Sequence, residues 1–560
     1  MSPTGPHLLL VVLIAAQLAA CSSGAPVPAT APAEPLAERA DAAPAPPALT
    51  MPASAPAAAG SPQAVGKVAR MRVMPMHMPV PMPVPDQPSN ERYGQISDNP
   101  IHRVAEAPVS TFSVDVDTGS YSNVRRLLNG GALPPADAVR VEELINYFPY
   151  DYALPRDGRP FAVHTALAPA PWNAQRVLLR VAIKGQDVAK QSLPPANLVF
   201  LVDVSGSMES ADKLPLLRSS LKLLVDQMRP VDRISLVTYA GGTRVVLPPT
   251  SGADKAAIKA AIDALRAGGG TAGASGIALA YSTAQTGFIP DGINRILLAT
   301  DGDFNIGMTD TEQLKKMVEQ KRRSGISLST LGFGTGNYNE ALMEQIADVG
   351  DGAYSYVDNL MEGHKVLVSE MSSTLATIAK DVKVQIEFNP ALVQEYRQIG
   401  YENRQLRRED FHNDKVDAGD IGAGHTVTAL YELTLTGARG AIDPLRYGAA
   451  VTAGDARSGE LAQELAHLRL RYKQPGQSSS ELTETPIRRE AMRPLDQADA
   501  EFRFATAVAG FGQVLRGGRY TGDWTYADAR ALAAGSLGND RFGYRGEFLR
   551  LAGLAQALAK

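Results

Sequence analysis

The residues with the clearest chemical content are Asp203, Ser205, Ser207, Thr271 and Asp301. The first three close the segment NLVFLVDVSGSM, Asn197 to Met208, where an apolar run stops abruptly at one carboxylate and two hydroxyls. Thr271 follows Gly268-Gly269-Gly270, and Asp301 follows a second apolar run, Ile296 to Ala299. All five are small oxygen-bearing side chains at the ends of expected strands. That is a donor set for a hard divalent cation, which takes oxygen ligands in preference to nitrogen or sulfur. Helix capping and turn formation would account for Ser207 or Thr271 singly, but not for the whole set.

These residues need a rigid frame, and the chain from about 196 to 360 supplies the pattern of one. Strands are expected at Asn197 to Val204, Arg233 to Ala240, Arg295 to Thr300, Ile326 to Phe333 and Ala353 to Val357. Helical spacing recurs between them, as in Leu214, Leu217, Leu221, Leu224 and Val225. Further helices are expected at Asp254 to Leu265, Ala274 to Gln285, Thr311 to Arg323 and Tyr338 to Ala347. Alternating strands and helices with continuously apolar strands imply an α/β fold, a doubly wound and mostly parallel sheet. Ligands of such sheets bind at the carboxyl ends of the strands, where Asp203, Ser205, Ser207 and Asp301 fall.

DVSGS, Asp203 to Ser207, resembles the D-x-S-x-S motif of von Willebrand factor type A (VWA) domains. Thr271 and the Thr300-Asp301-Gly302 turn match the rest of that family's metal-ion-dependent adhesion site. The resemblance implies Mg²⁺, with Mn²⁺ or Ca²⁺ as alternatives, bound directly by the hydroxyls of Ser205 and Ser207. Thr271 would bind directly or through water, and Asp203 and Asp301 would act mostly through water or on the other ligands. Mg²⁺ demands near-octahedral oxygen coordination. Such a donor set leaves it under-neutralised, so an Asp or Glu of a protein partner would complete the coordination.

The flanks read differently. Phe161 to Leu167 and Val177 to Ile183 precede the central domain. The alternating stretches around Val382 to Phe388, Val427 to Leu435 and Leu468 to Tyr472 follow it. All are half-buried antiparallel strands by pattern, so the central domain is expected to be inserted into a β-sandwich built from both flanks. Asp137 to Phe148 is expected as an amphipathic helix, and Tyr121 to Leu128 as another. Helices are also expected at Ala498 to Leu515, Tyr526 to Ala534 and Tyr544 to Ala559. VEELINYF, Val141 to Phe148, and the C-terminal half resemble segments of one group of bacterial VWA lipoproteins.

The rest of the 560-residue chain narrows the function classes. A net charge of −4 gives no bulk attraction to nucleic acid. One cysteine excludes a disulfide framework or a zinc–cysteine cluster within the chain. No G-x-S-x-G or Walker loop is present, and the histidines are scattered. Asp115-Val116-Asp117-Thr118 approaches the D-x-D-x-T of phosphohydrolases but places its threonine one position early, so a metal-dependent hydrolase is only the weaker alternative. A small-molecule substrate is not indicated. Cys21 ends the apolar segment Leu8 to Ala20 in Leu18-Ala19-Ala20-Cys21, which resembles a lipoprotein lipobox, although no Lys or Arg precedes the run. Residues 1–20 are therefore expected to be a signal peptide, and Cys21 the site of lipid attachment. Residues 21–95, rich in Ala, Pro and Met, are expected to form an extended tether. Residues 96–195, 196–360 and 361–560 are expected as an N-terminal region, the VWA domain and a C-terminal region. The expectation is a non-enzymatic envelope lipoprotein, outer-membrane by the Ser22 that follows the cysteine, binding a protein partner through a metal. A structural protein with a metal-braced fold is the other alternative.

Overall fold

The computed structural model describes residues 91–560 apart from 115–116, 271–272, 303–310, 337 and 444–459. Cys21, Asp115 and Thr271 lie outside the described residues.

The central sheet has six strands, in the order Tyr354–Val357, Ser327–Phe333, Ile293–Thr300, Ala196–Asp203, Arg233–Tyr239, Thr243–Ser251. The first five run parallel and the last antiparallel. Alternation along each strand sends side chains to opposite faces. Leu198, Phe200 and Val202 pack against helix Leu214–Gln227 through Leu217, Leu221 and Leu224. Val199 and Leu201 pack on the other face with Ile277 and Ala280 of helix Gly273–Thr286 and with Leu314 and Val318 of helix Thr311–Arg322. Two-sided burial is why these strands read as unbroken apolar runs.

The antiparallel edge strand Thr243–Ser251 was not anticipated from the sequence. It contains Pro248 and Pro249, which interrupt a strand pattern. An edge tolerates them because the register shifts there: Ile234 pairs with Thr250 and Leu236 with Leu247, so the two prolines fall in a bulge of the ladder.

Two antiparallel sheets face each other across a second core. One orders His102–Arg103, Val393–Ile399, Thr426–Leu435, Asn173–Gly185 and Phe161–Ala170. The other joins Ile421–Gly422, Thr377–Phe388, Glu464–Lys473 and Ser480–Arg488, with Val109–Ser113 also paired to Thr377–Phe388. Leu179, Val181, Val384, Ile386, Leu433 and Leu468 meet between them. Asn173–Gly185 pairs directly with Thr426–Leu435, so strands from before and after the α/β domain share one sheet. The sandwich thus holds the inserted domain by both its ends.

Residues 137–148 do not form the single amphipathic helix that was expected. A short 3₁₀ turn at Ala136–Ala138 is followed by helix Val141–Asn146, all six of whose residues are buried. The charged positions that suggested a solvent face instead enter a buried ion network. Helices Ala500–Leu515, Tyr526–Ala534 and Tyr544–Leu558 share a core with this segment through Leu144, Phe148, Phe504, Phe511 and Phe548. The tether boundary at 95 also lies too far along the chain. Glu91 takes a hydrogen bond from Arg126 at 2.8 Å, and the Arg92 N–H donates to the Tyr338 carbonyl at 2.9 Å.

Candidate metal-binding site

Strand Ala196–Asp203 ends at Asp203, which has no exposed surface. Its Oδ1 accepts the Ser205 N–H at 2.8 Å, and its Oδ2 accepts the Thr300 hydroxyl at 3.0 Å. Asp203 therefore ties the ends of two adjacent parallel strands together. Burial pushes its carboxyl up from the usual range; the two Ser205 contacts oppose this, and the charge of Asp301 adds to it. The Tyr239 ring is buried beside Asp203 and Thr300, and burial holds its hydroxyl well above the ordinary value.

Beyond Asp203 the chain turns outward. The Ser205 and Ser207 hydroxyls lie 3.1 Å apart. Ser205 is buried and Ser207 exposed. The Gly206 N–H donates to the Gly269 carbonyl at 3.1 Å, and the Gly268 N–H to the Val204 carbonyl at 2.8 Å. These bonds pin the glycine loop that leads to Thr271 against the serine loop. Gly241, Gly242, Gly268, Gly269 and Gly270 are all exposed, so much of the rim carries no side chains.

Asp301 follows strand Ile293–Thr300 and is 2% exposed. Its Oδ2 accepts the Lys213 ammonium at 3.0 Å. Two glycines make this arrangement possible. Gly302 has φ +81°, and a Cβ there would stand 2.6 Å from the Asn339 backbone nitrogen. Gly334 has φ +74°, and a Cβ there would stand 2.3 Å from the Lys213 side chain.

Asp203, Ser205, Ser207 and Asp301 are thus brought to one end of the sheet, while Thr271 lies outside the described residues. Sequence reasoning missed Lys213 and the hydroxyl of Thr300. Thr300 adjoins a residue already singled out; Lys213 opens a helix and carries no spacing signal. The donors suit a small hard cation. Adjacent ligands of an octahedron with 2.0–2.1 Å bonds stand about 3 Å apart, the separation the two serine hydroxyls already have. Among the described residues, no three His, Cys, Asp or Glu side chains form a metal cluster.

Asp117, the other acid considered for chemistry, is committed elsewhere. It is 4% exposed, accepts the Tyr354 N–H at 2.8 Å and pairs with Arg404 at 3.2 Å.

Three family profiles match the chain: von Willebrand factor at 87–180, von Willebrand factor type A domain at 197–369, and the C-terminal region of uncharacterized protein YfbK at 373–558. YfbK of Escherichia coli strain K12 is 53% identical over 479 residues, 84% of this chain and 82% of its own length. The chain belongs to the YfbK family of VWA-domain proteins. A von Willebrand factor type A structure from Catenulispora acidiphila shares 18% identity with this YfbK-family chain at a TM-score of 0.40, over 70% of this chain and 91% of that one. Proximal thread matrix protein 1 from the mussel byssus, with a zinc-occupied MIDAS motif, shares 22% identity at a TM-score of 0.26, over 34% and 46%.

Proposed function

We propose that this YfbK-family protein is a non-enzymatic, lipid-anchored envelope protein that captures a protein partner through a divalent cation. Asp203, Ser205, Ser207, Thr271 and Asp301 hold the cation, and Mg²⁺ suits the spacing of the hydroxyls. The cation supplies a Lewis-acidic attachment point for an Asp or Glu of the partner. Asp203 orients Ser205 from below, while Ser207 and the bare glycine rim leave the partner room to approach. The observation that carries this reading is the contrast in burial across the site: acids sealed at its base and a hydroxyl open at its mouth. A buried, unsatisfied acid pair would be costly; here Thr300, the Ser205 N–H and Lys213 hold the acids in place.

Acylation at Cys21 anchors the protein, in the outer membrane by the residue that follows the cysteine, and the chain between Cys21 and Glu91 sets its reach. Loss of palmitate labelling in Cys21→Ser tests the anchor.

A binder of cations is stabilised by them, by about 2.7 kcal/mol at a hundredfold excess over Kd. Mg²⁺ or Mn²⁺ should raise the melting temperature of the wild type and leave Asp203→Ala/Ser205→Ala unmoved while that variant still folds. Equal stabilisation of both proteins would reject the assignment. The brace reading, in which the site serves only stability, draws on Lys213, a cation already seated on Asp301. Metal-independent capture of envelope proteins, or none, would favour it.

A further inference from the structure

Between the inserted domain and the sandwich lies a cavity of about 680 Å³, within the usual range for small-molecule sites of about 300–1,000 Å³. Its wall runs along the central sheet from Leu198 and Arg295, away from the candidate metal site, to Leu331, which pairs with Ala299. Arg295 in its wall is six residues before Asp301 on the same line of chain, roughly 20 Å at strand rise. One side of the cavity is apolar, formed by Leu198, Leu224, Leu297 and Leu331. Arg295 belongs to the same face of strand Ile293–Thr300 as Leu297, where alternation would call for another aliphatic residue.

Arg295 is an anomaly there. It is 7% exposed, and no carboxylate lies within 4.0 Å of its guanidinium among the described residues. Among the described residues its one hydrogen bond is from Nη1 to the Ser329 hydroxyl at 2.8 Å, and its Nε is buried without a partner there. Isolated burial of a guanidinium is expensive unless something pairs with it. The nearby acids are largely engaged. Asp351 and Asp417 both turn to Arg322, the second at 2.8 Å, and Asp420 accepts the Asp381 N–H at 3.2 Å. Burial holds Arg295 down at about 10, well below an ordinary arginine, and the charges of Asp420 and Asp351 only partly oppose this. Lys184 and Lys365 also line the cavity, Lys184 donating to the Gly424 carbonyl at 2.7 Å and Lys365 paired with Glu370 at 2.7 Å, and burial and the charges of those two lysines hold His425 at about 4, hence neutral.

We propose that this cavity is a binding site for a single-chain amphiphile with an anionic head, a carboxylate taken by Arg295 and Ser329 with its hydrocarbon tail laid along the leucine wall. The planar fork of Arg295 matches a carboxylate, and the leucines gain by covering a chain. The inference does not depend on the cation site.

Decanoate is the probe, with decanol and acetate as controls, added to the full-length protein in EDTA so that the cation site plays no part. Decanoate should raise the melting temperature saturably, whereas decanol and acetate should not. Arg295→Met should bind decanoate at least about tenfold more weakly, the loss expected for a charged hydrogen-bonded head. It should also melt higher than the wild type without ligand, since an unpaired buried charge has been removed. Arg295→Lys, which keeps the charge, should retain part of the response. Absence of a saturable decanoate shift in the wild type, an equal shift with decanol, or an unchanged affinity in Arg295→Met would overturn the proposal.

Discussion

Two regions of the molecule bury carboxylates, and they do so to opposite ends. At the seam between the inserted domain and the flanks, the acids are closed in by arginine. Arg125, 2% exposed, donates to Asp358, to Glu362 at 2.7 Å and to the Tyr147 hydroxyl at 2.8 Å. Arg140 reaches Glu344 at 2.8 Å and Glu143 at 3.3 Å, and Arg404 joins Asp117, Glu344 and Asp348. At the rim, two buried acids are met, among the described residues, by the Thr300 hydroxyl, the Ser205 N–H and Lys213, with an exposed serine and bare glycines above them. Dense pairing at the seam fixes how two domains sit. At the rim the exposed Ser207 hydroxyl is where we propose that something from outside coordinates.

The contrast breaks first at the seam. Arg125→Met leaves Asp358 and Glu362 buried without their partner, which costs about 3–5 kcal/mol; denaturant unfolding should show it, and a loss below about 1 kcal/mol would mean the seam is not a lock. The rim should behave in the opposite way. Ser205→Ala/Ser207→Ala should shift stability by no more than about 1–2 kcal/mol, since one of the two hydroxyls is exposed, yet abolish stabilisation by Mn²⁺.

The next effect is one of pH. Glu340 has no exposed surface, and neither of its carboxylate oxygens makes a hydrogen bond among the described residues. Burial raises it to about 8, opposed by Arg140 and reinforced by Glu344. The fold therefore favours the protonated acid. Its contribution to stability is full below the unfolded value near 4.5 and is lost as pH rises toward about 8. Glu340→Gln should flatten the decline in melting temperature between pH 5 and 8 and stabilise the protein at pH 8 by on the order of 1 kcal/mol. Some slope should survive, because burial also raises Glu402 to about 7 and Asp420 to about 6. An unchanged slope would show that Glu340 stays ionised.

The smallest effect belongs to Lys213. Its ammonium occupies an oxygen of Asp301 and repels an incoming cation. Lys213→Met should tighten Mn²⁺ binding roughly fivefold, as expected for one charge a few ångströms away in a partly solvated site. Weaker binding in a calorimetric titration would instead make Lys213 a support of the site.

The central sheet was legible because strands buried on both faces are written as apolar runs, and helices between them repeat every three to four residues. The sandwich was legible through its alternating strands. The carboxylate and the serines of the rim could be read because they follow one strand within a few residues. Lys213 could not, since it meets Asp301 across 88 positions of sequence. The seam was hidden for a related reason: Glu142 and Glu143 look like the solvent face of a helix, and only the folded chain brings Arg140, Glu340 and Glu344 around them. Arg295 was equally silent, a single charge in an apolar strand whose meaning depends on a cavity assembled from distant segments.

Anomalous diffraction from crystals soaked in Mn²⁺ tests the central claim most directly. One ion should appear against the hydroxyls of Ser205 and Ser207, with at least one position facing solvent filled by water or by an acidic side chain from a neighbouring molecule. An empty rim, or an ion whose every ligand comes from its own chain, would contradict the account.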